Sequence, residues 1–207
     1  KKLGVCAGFA FRYDAAKRET MKRVRDGMIG DVQVVHSTFL TGELWHRGAD
    51  PKWSELEKQV RNWYYYTWLS GDFVVEQAVH NVDKIHWLMN EELPVAATGM
   101  GGREVRTDPK FGNIYDHFTV VFEYATGAKA FLQCRQTAGC QTGVIDDAFG
   151  TKGRCHLMQH KVEGAGGAWQ YDGGDGIKSA YDREHAELIQ SIKAGRPIND
   201  AVRSAQS

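Results

Sequence analysis

Apolar residues recur with two different periods along this chain, helical in the first half and alternating in the second. Residues 5–11 form a short apolar run that reads as a strand. Asp14, whose carboxylate can cap free backbone N–H groups, opens a helical pattern through Ala15, Thr20, Met21 and Val24 to Gly27. Residues 31–40, DVQVVHSTFL, are β-branched and half alternating, which predicts a strand. Residues 41–53 read as a loop dense in Gly, His, Arg and Trp, and residues 56–68 as a short helix ending in the aromatic run RNWYYYTW. The best helix opens after Gly71 with Asp72 as its cap and carries an apolar stripe at Val75, Val79, Val82 and Met89.

From Leu93 onward the period is two. Residues 94–100, 115–124, 128–136, 143–149 and 154–159 read as successive strands, with Thr126-Gly127 as a tight hairpin turn between the second and third. Residues 164–176 are a glycine-rich excursion containing one apolar stretch, 168–171. A final amphipathic helix spans residues 180–194, with Gly195 as its stop signal and Pro197 beyond. Helices followed by hairpin-connected strands predict an α+β fold, one open and mostly antiparallel β-sheet with helices on one face.

Composition narrows the function classes. The 207 residues carry 26 basic and 26 acidic side chains with no block of like charge, so the electrostatic footprint of nucleic-acid or anionic-membrane binding is missing. No run approaches the ~18 apolar residues of a membrane span, and no secretory pattern follows residues 1–5. The expectation is a soluble chain, cytoplasmic or exported by a leader lying outside it. Cys6, Cys134, Cys140 and Cys155 lack C-x-x-C pairing and read as buried free thiols.

Candidate chemistry concentrates on the helix after Gly71. Glu76, His80 and Asp83 are spaced i, i+4, i+7 and so share one helix face. Two carboxylates flanking an imidazole suit acid-base work near neutrality, although the same pattern also describes a solvated face with one ion pair. His46, Asp116, His117, His156 and His160 are conceivable metal ligands, but a strand over 154–159 would set His156 and His160 about 13 Å apart, at roughly 3.3 Å per residue, and no metal is expected. Trp45, Arg47 and Arg61 belong to aromatic-basic segments whose rings stack on sugar C–H faces while the cations bind hydroxyls; core packing is the competing use of residues 64–68. Gly99-Met100-Gly101-Gly102 and Gly164-Ala165-Gly166-Gly167 both lack the third glycine of a dinucleotide-binding turn.

Several segments in order carry a family likeness. Residues 70–83, SGDFVVEQAVHNVD, followed by Trp87, resemble the carboxylate-x-x-x-His-x-x-Asp helix of the glucose-fructose oxidoreductase / inositol dehydrogenase / MocA family. Arg12-Tyr13-Asp14 with the helix to Gly27 and residues 28–31, Gly99–Arg103, Gly112–His117, Gly150–Gly153 and Glu184–Asp200 are similar as well. The resemblance implies the family's C-terminal domain, glyceraldehyde-3-phosphate-dehydrogenase-like, with residues 1–13 as the last strand of an N-terminal Rossmann domain and residues 14–207 as a substrate-binding and oligomerisation domain cut short at its end. It implies NAD or NADP for the whole protein and no cofactor on this chain, a sugar or polyol substrate, and a homo-oligomer formed through the open sheet. His80 matches the catalytic histidine that moves the substrate hydroxyl proton, Glu76 the position usually held by aspartate, and Asp83 the acidic position that holds substrate or histidine. Tyr115 and His117 join Trp45, Arg47 and Arg61 as substrate contacts. The family's Glu-Lys-Pro lysine has no counterpart, so the chain alone is expected to be inactive. Oxidation of a hydroxyl, NAD-dependent cleavage of a glycoside, and non-enzymatic assembly or ligand binding remain the three readings.

Overall fold

A computed structural model describes residues 3–174 and 179–207. The Asp14 carboxylate accepts the Lys17 N–H at 2.9 Å and starts α1, Ala15–Arg25, which leads into β1, Val32–Thr41. Ser54 caps α2, Glu55–Arg61; a 3-10 turn at Trp63–Tyr65 and the single-turn α3, Thr67–Ser70, come after it. Gly71, at φ 72°, ends α3 before α4, Phe73–Glu76, and α5, Val79–Leu88. Seven more strands come next: β2 Ala96–Gly102, β3 His117–Glu123, β4 Lys129–Gln136, β5 Gly143–Gly150, β6 Gly153–His156, β7 Lys161–Gly164 and β8 Gly167–Gln170. Two helices, α6 Ala180–Lys193 and α7 Ala201–Gln206, close the chain.

All eight strands join one open sheet in the order β2-β3-β4-β1-β5-β6-β7-β8. Among the described residues only the β1–β4 strand pair is parallel, so the sheet is mixed but mostly antiparallel. Helices α1 and α5 cover one face, where Met21, Val24, Ile85 and Leu88 pack on Val35, Leu132, Ala148 and Val162. Fully burying each such side chain contributes about 1.5–3 kcal/mol. A second apolar cluster of Tyr64, Tyr65, Phe73, Phe111, Ile114 and Cys134 closes one end. On the opposite, uncovered face Met100, Ile145 and Phe149 stay exposed, and His36, Asp147 and His156 lie side by side across β1, β5 and β6.

Four local expectations need correction. Residues 5–11 are no strand: Val5 makes one isolated bridge to Asn199, and the chain then tightens into a 3-10 turn at Ala10–Tyr13. The helix over 56–68 breaks at Asn62, because Tyr64 and Tyr65 must turn into the core while Trp63 and Trp68 stay outside. Strand 154–159 stops at His156, where Leu157 dives into the core through a 3-10 turn, so His156 and His160 do not share a strand. Part of the glycine-rich excursion is the hairpin β7–β8; residues 175 and 176 lie outside the described residues. Gly164 is required there, since a Cβ would collide with the Met28 carbonyl oxygen.

The expected apolar stripe is only partly inside: Met89 is buried and Val82 packs against the core, but the inner face of α5 is completed by other residues. Val75 is 57% exposed, whereas Asn81, Lys84, Ile85 and Leu88 turn inward. Two of these four are polar, and the sheet answers them. Asp146 on β5 holds the Lys84 ammonium and accepts the Ser37 hydroxyl at 2.6 Å and the Asn81 amide at 3.1 Å. Asn81 also donates to the Thr38 carbonyl at 3.0 Å. On the adjoining side of α5, Arg12 forks onto the Asp83 carboxylate with bonds of 2.8 and 2.9 Å, binds Glu91, and lies over the Trp87 ring. Of the four free cysteines, Cys134 and Cys155 are buried, Cys6 is half-buried and Cys140 is exposed. Among the described residues, no helix is long and apolar enough to cross a membrane.

Arg12→Ala leaves the Asp83 carboxylate buried and unpaired, so urea unfolding should register a loss of about 3–5 kcal/mol; a loss under 1 kcal/mol would show the pair to be dispensable. Burial pushes the Cys134 and Cys155 thiols up to about 12. Alkylation read by mass spectrometry should therefore modify Cys140 first under native conditions and Cys134 and Cys155 only on unfolding.

Candidate functional site

The site is built around an irregular turn. The Phe73 carbonyl accepts both the Gln77 N–H at 2.9 Å and the Ala78 N–H at 3.0 Å, an i→i+5 bond that inserts one residue between α4 and α5. One extra residue rotates the next helix by about 100°. That rotation brings Asn81 and Lys84 onto the inner face and leaves Val79 and Val82 half-buried, with Val82 still packed against the core. The turn is anchored by Asp72, at φ 72°, whose carboxylate accepts the N–H groups of Phe73 at 2.6 Å and Tyr115 at 3.0 Å.

His80 lies in the first turn of α5. The edges of Phe9 and Phe11 meet its ring, each at 5.7 Å between centroids and nearly perpendicular. Its Nδ1 is buried and has no hydrogen-bond partner. Burial holds the imidazole below its ordinary pKa, the Lys84 ammonium pushes the same way, and Asp83 acts weakly against them. The ring is therefore neutral near pH 7 and able to accept a proton.

Glu76, at the end of α4, is half-buried; burial raises its carboxyl above the usual range and the Tyr64 hydroxyl offsets part of this. Tyr64 donates to Gln77 Oε1 at 3.2 Å, and the Gln136 amide donates to the Tyr64 oxygen at 2.7 Å and to Gln77 at 2.5 Å. Arg106 in turn binds Gln136 Oε1 and the Tyr115 carbonyl. Glu76 and His80 thus flank one turn of backbone pinned from below by a polar chain. Asp83 is not brought to the same surface, because both its oxygens are taken by Arg12.

The remaining predicted residues separate into different settings. Trp45 packs against the rings of Trp63, Tyr64 and Tyr65, with the Arg47 guanidinium over its own ring at 5.1 Å, forming a half-exposed platform beside Tyr64. Arg61 instead pairs with Glu57 on the outer surface of α2 and lies over Trp53. Tyr115 stacks on Phe118 at 5.4 Å on the helix-covered side. Strand alternation turns the neighbouring His117 to the uncovered face, where its Nδ1 is 2.8 Å from Asp116. Asp116 itself serves the backbone: burial opposes its charge, but the N–H groups of Arg106, Val105 and Glu104 together with His117 hold its pKa low. His46 bonds the Lys110 carbonyl at 3.0 Å and His156 pairs with Asp147, and among the described residues no group of three His, Cys, Asp or Glu side chains converges to hold a metal.

Sequence reasoning missed Tyr64 as a polar partner, together with Gln77, Gln136, Lys84, Asp146, Phe9 and Phe11. One signal was present for Asp146: of two adjacent carboxylates on a strand, one has to face the core. A cleft of about 420 Å³ between Val24, Gln33, Leu88 and Asn90 lies at the far end of α5 from His80. Another, of about 300 Å³ and bounded by Glu43, Arg106, Lys110 and Gln136, adjoins the polar chain under Tyr64.

Comparison with known proteins agrees with this architecture. Residues 18–156 match the family model described as GFO/IDH/MocA C-terminal domain. Inositol 2-dehydrogenase 3 of Saccharopolyspora erythraea is 28% identical over 148 residues, 70% of this chain and 37% of that relative. Among solved structures, aldose-aldose oxidoreductase from Caulobacter crescentus, complexed with glycerol, is similar with a TM-score of 0.73 and 20% identity, covering 98% of this chain and 58% of that one. Levoglucosan dehydrogenase in complex with NADH and levoglucosan gives 0.67 at 17% identity, covering 94% and 58%. The chain spans less than two thirds of the length of each of these proteins. With the matched segment running from α1 through β6, the chain belongs to the GFO/IDH/MocA oxidoreductase family, whose C-terminal domain it carries.

Proposed function

We propose that this chain is the substrate-binding part of an NAD(P)-dependent oxidoreductase that acts on a hydroxyl of a sugar or polyol, with His80 as the acid-base residue. The observation that carries the reading is the state of His80: a neutral imidazole with an unpartnered nitrogen, fixed between two phenyl edges at the start of a helix. Oxidising a carbinol requires the hydroxyl proton to leave as the C–H hydride departs, and a positioned neutral imidazole accepts that proton. Glu76, whose carboxyl burial raises above the usual range, suits hydrogen bonding to a neighbouring hydroxyl, and the Trp45–Arg47 platform suits the face of a sugar ring. Asp83 contributes by holding the helix through Arg12.

The hydride acceptor is not assigned to these residues. A pyrophosphate needs a glycine turn at a helix N-terminus, and α1 begins instead at the Asp14 carboxylate. NAD(P) is therefore proposed for the whole protein, and residues 1–13 as an extension of a cofactor domain. The uncovered sheet face packs against a second copy of the chain: its exposed Met100, Ile145 and Phe149 are apolar, and the row His36, Asp147, His156 is able to meet its own copy across a two-fold axis.

In the full-length enzyme His80→Ala should lower kcat by roughly 10² or more, and an unchanged kcat would remove His80 from the chemistry. Since the imidazole is held below its ordinary value of 6.5, it stays neutral above that lowered pKa, and kcat/KM for oxidation should keep its plateau to below pH 6.5 before falling. Stoichiometric NADH from a sugar or polyol supports oxidation; sugar release from an aryl glycoside without net NADH would move the assignment to glycoside cleavage. Phe149→Lys should reduce the assembly mass in light scattering, and an unchanged mass would dismiss the sheet face as the interface.

A further inference from the structure

Proton transfer by His80 leaves one buried ionisable group unused. Lys84 is 0% exposed and stands one helical turn beyond His80 on α5. Its ammonium is held by Asp146, lies 3.8 Å from the Met158 sulfur, and sits 4.7 Å from the centroid of the Phe11 ring. That same ring presents its edge to His80, and the Lys17 ammonium lies 5.2 Å from its centroid. Apolar packing alone does not call for a lysine here. Replacing a buried ion pair by apolar residues of similar volume is often neutral or stabilising, and the neighbours Ile85 and Leu88 are already apolar.

The charged side chains around His80 each have a partner. On its own helix, Asp83 is committed to Arg12, and on α4 burial raises the Glu76 carboxyl above its usual range. On α1, Lys17 is paired with Asp14 at 3.4 Å. On β5, Asp146 grips Lys84 and also accepts from Ser37 and Asn81. Although paired with Asp146, the buried Lys84 ammonium acts together with burial against protonation of the imidazole, and Asp83 acts weakly the other way.

We propose that Lys84, locked by Asp146, is a positioning residue for His80: its buried ammonium keeps the imidazole neutral and proton-accepting during oxidation of the substrate hydroxyl. The inference rests on the acid-base reading of His80. Asp146 is needed because without its counter-charge the buried ammonium would give up its proton and with it its influence.

The test is the double variant Lys84→Met/Asp146→Asn in the full-length enzyme, which removes both charges and leaves Asp146 no unpaired carboxylate. His80 is followed by NMR titration, its signal assigned through His80→Ala, alongside the pH profile of kcat/KM. The expected result is an upward move of both the His80 titration and the acidic limb by about one unit. A purely structural Lys84 would change stability and leave both midpoints in place. Should the double variant fail to fold, Lys84→Gln keeps a donor to Asp146 while removing the positive charge, and should move both midpoints the same way. An unmoved His80 titration overturns the proposal. A titration that moves while the kinetic limb does not overturns instead the acid-base role of His80 on which the proposal rests.

Discussion

The Lys84–Asp146 pair fixes how helix α5 lies on the sheet. Moving either charge out of water alone costs several kcal/mol, so the two have to meet, and they meet at one rotation of α5 over β5. Ser37 on β1 and Asn81 on α5 satisfy the remaining acceptor positions of Asp146. A helix packed only through Ile85 and Leu88 would be free to slide or roll by small amounts. The polar network removes that freedom, and with it the ambiguity in where His80 points.

The rest of the site depends on that constraint. With Asn81 and Lys84 turned inward, His80 faces the segment carrying Phe9 and Phe11, and Asp83 faces Arg12. The extra residue at Gln77-Ala78 lets α4 keep Phe73 in the second apolar cluster while α5 takes its own rotation. Glu76 and His80 consequently flank a kink whose underside is tied to β4 through Gln77, Gln136 and Tyr64. A rigid support under two titratable groups is what proton transfer at a defined atom requires.

The sheet separates two tasks by its faces. One face is sealed by α1 and α5 and carries the candidate chemistry at its end. The other presents alternating apolar and charged side chains to the outside, His117 among them. Residues one position apart on a strand therefore serve different surfaces, as Phe118 near the site and His117 on the uncovered face illustrate.

By itself the sequence determined the element types with strong periodicity and local caps: α1 behind Asp14, strand β1, the hairpin at Gly127, strands β2 to β5 and the last long helix. It also determined the family, through the segment around Glu76 and His80. These are local properties, set by side-chain period and backbone geometry within a few residues. The short hairpin β7–β8 escaped because four-residue strands are too brief to show alternation and Gly164 was selected by the approach of Met28. Only the tertiary structure decided which face of α5 is inside. Hydrophobic periodicity pointed to Val75, Val79, Val82 and Met89; Met89 is buried and Val82 packs against the core, but a lysine and an asparagine took the centre of the inner face, because an aspartate and a serine more than forty residues away supply the charge and hydrogen bonds that make their burial tolerable. Partners so distant in the chain leave no periodic trace, so the environment of His80 became readable only once the sheet had brought them together.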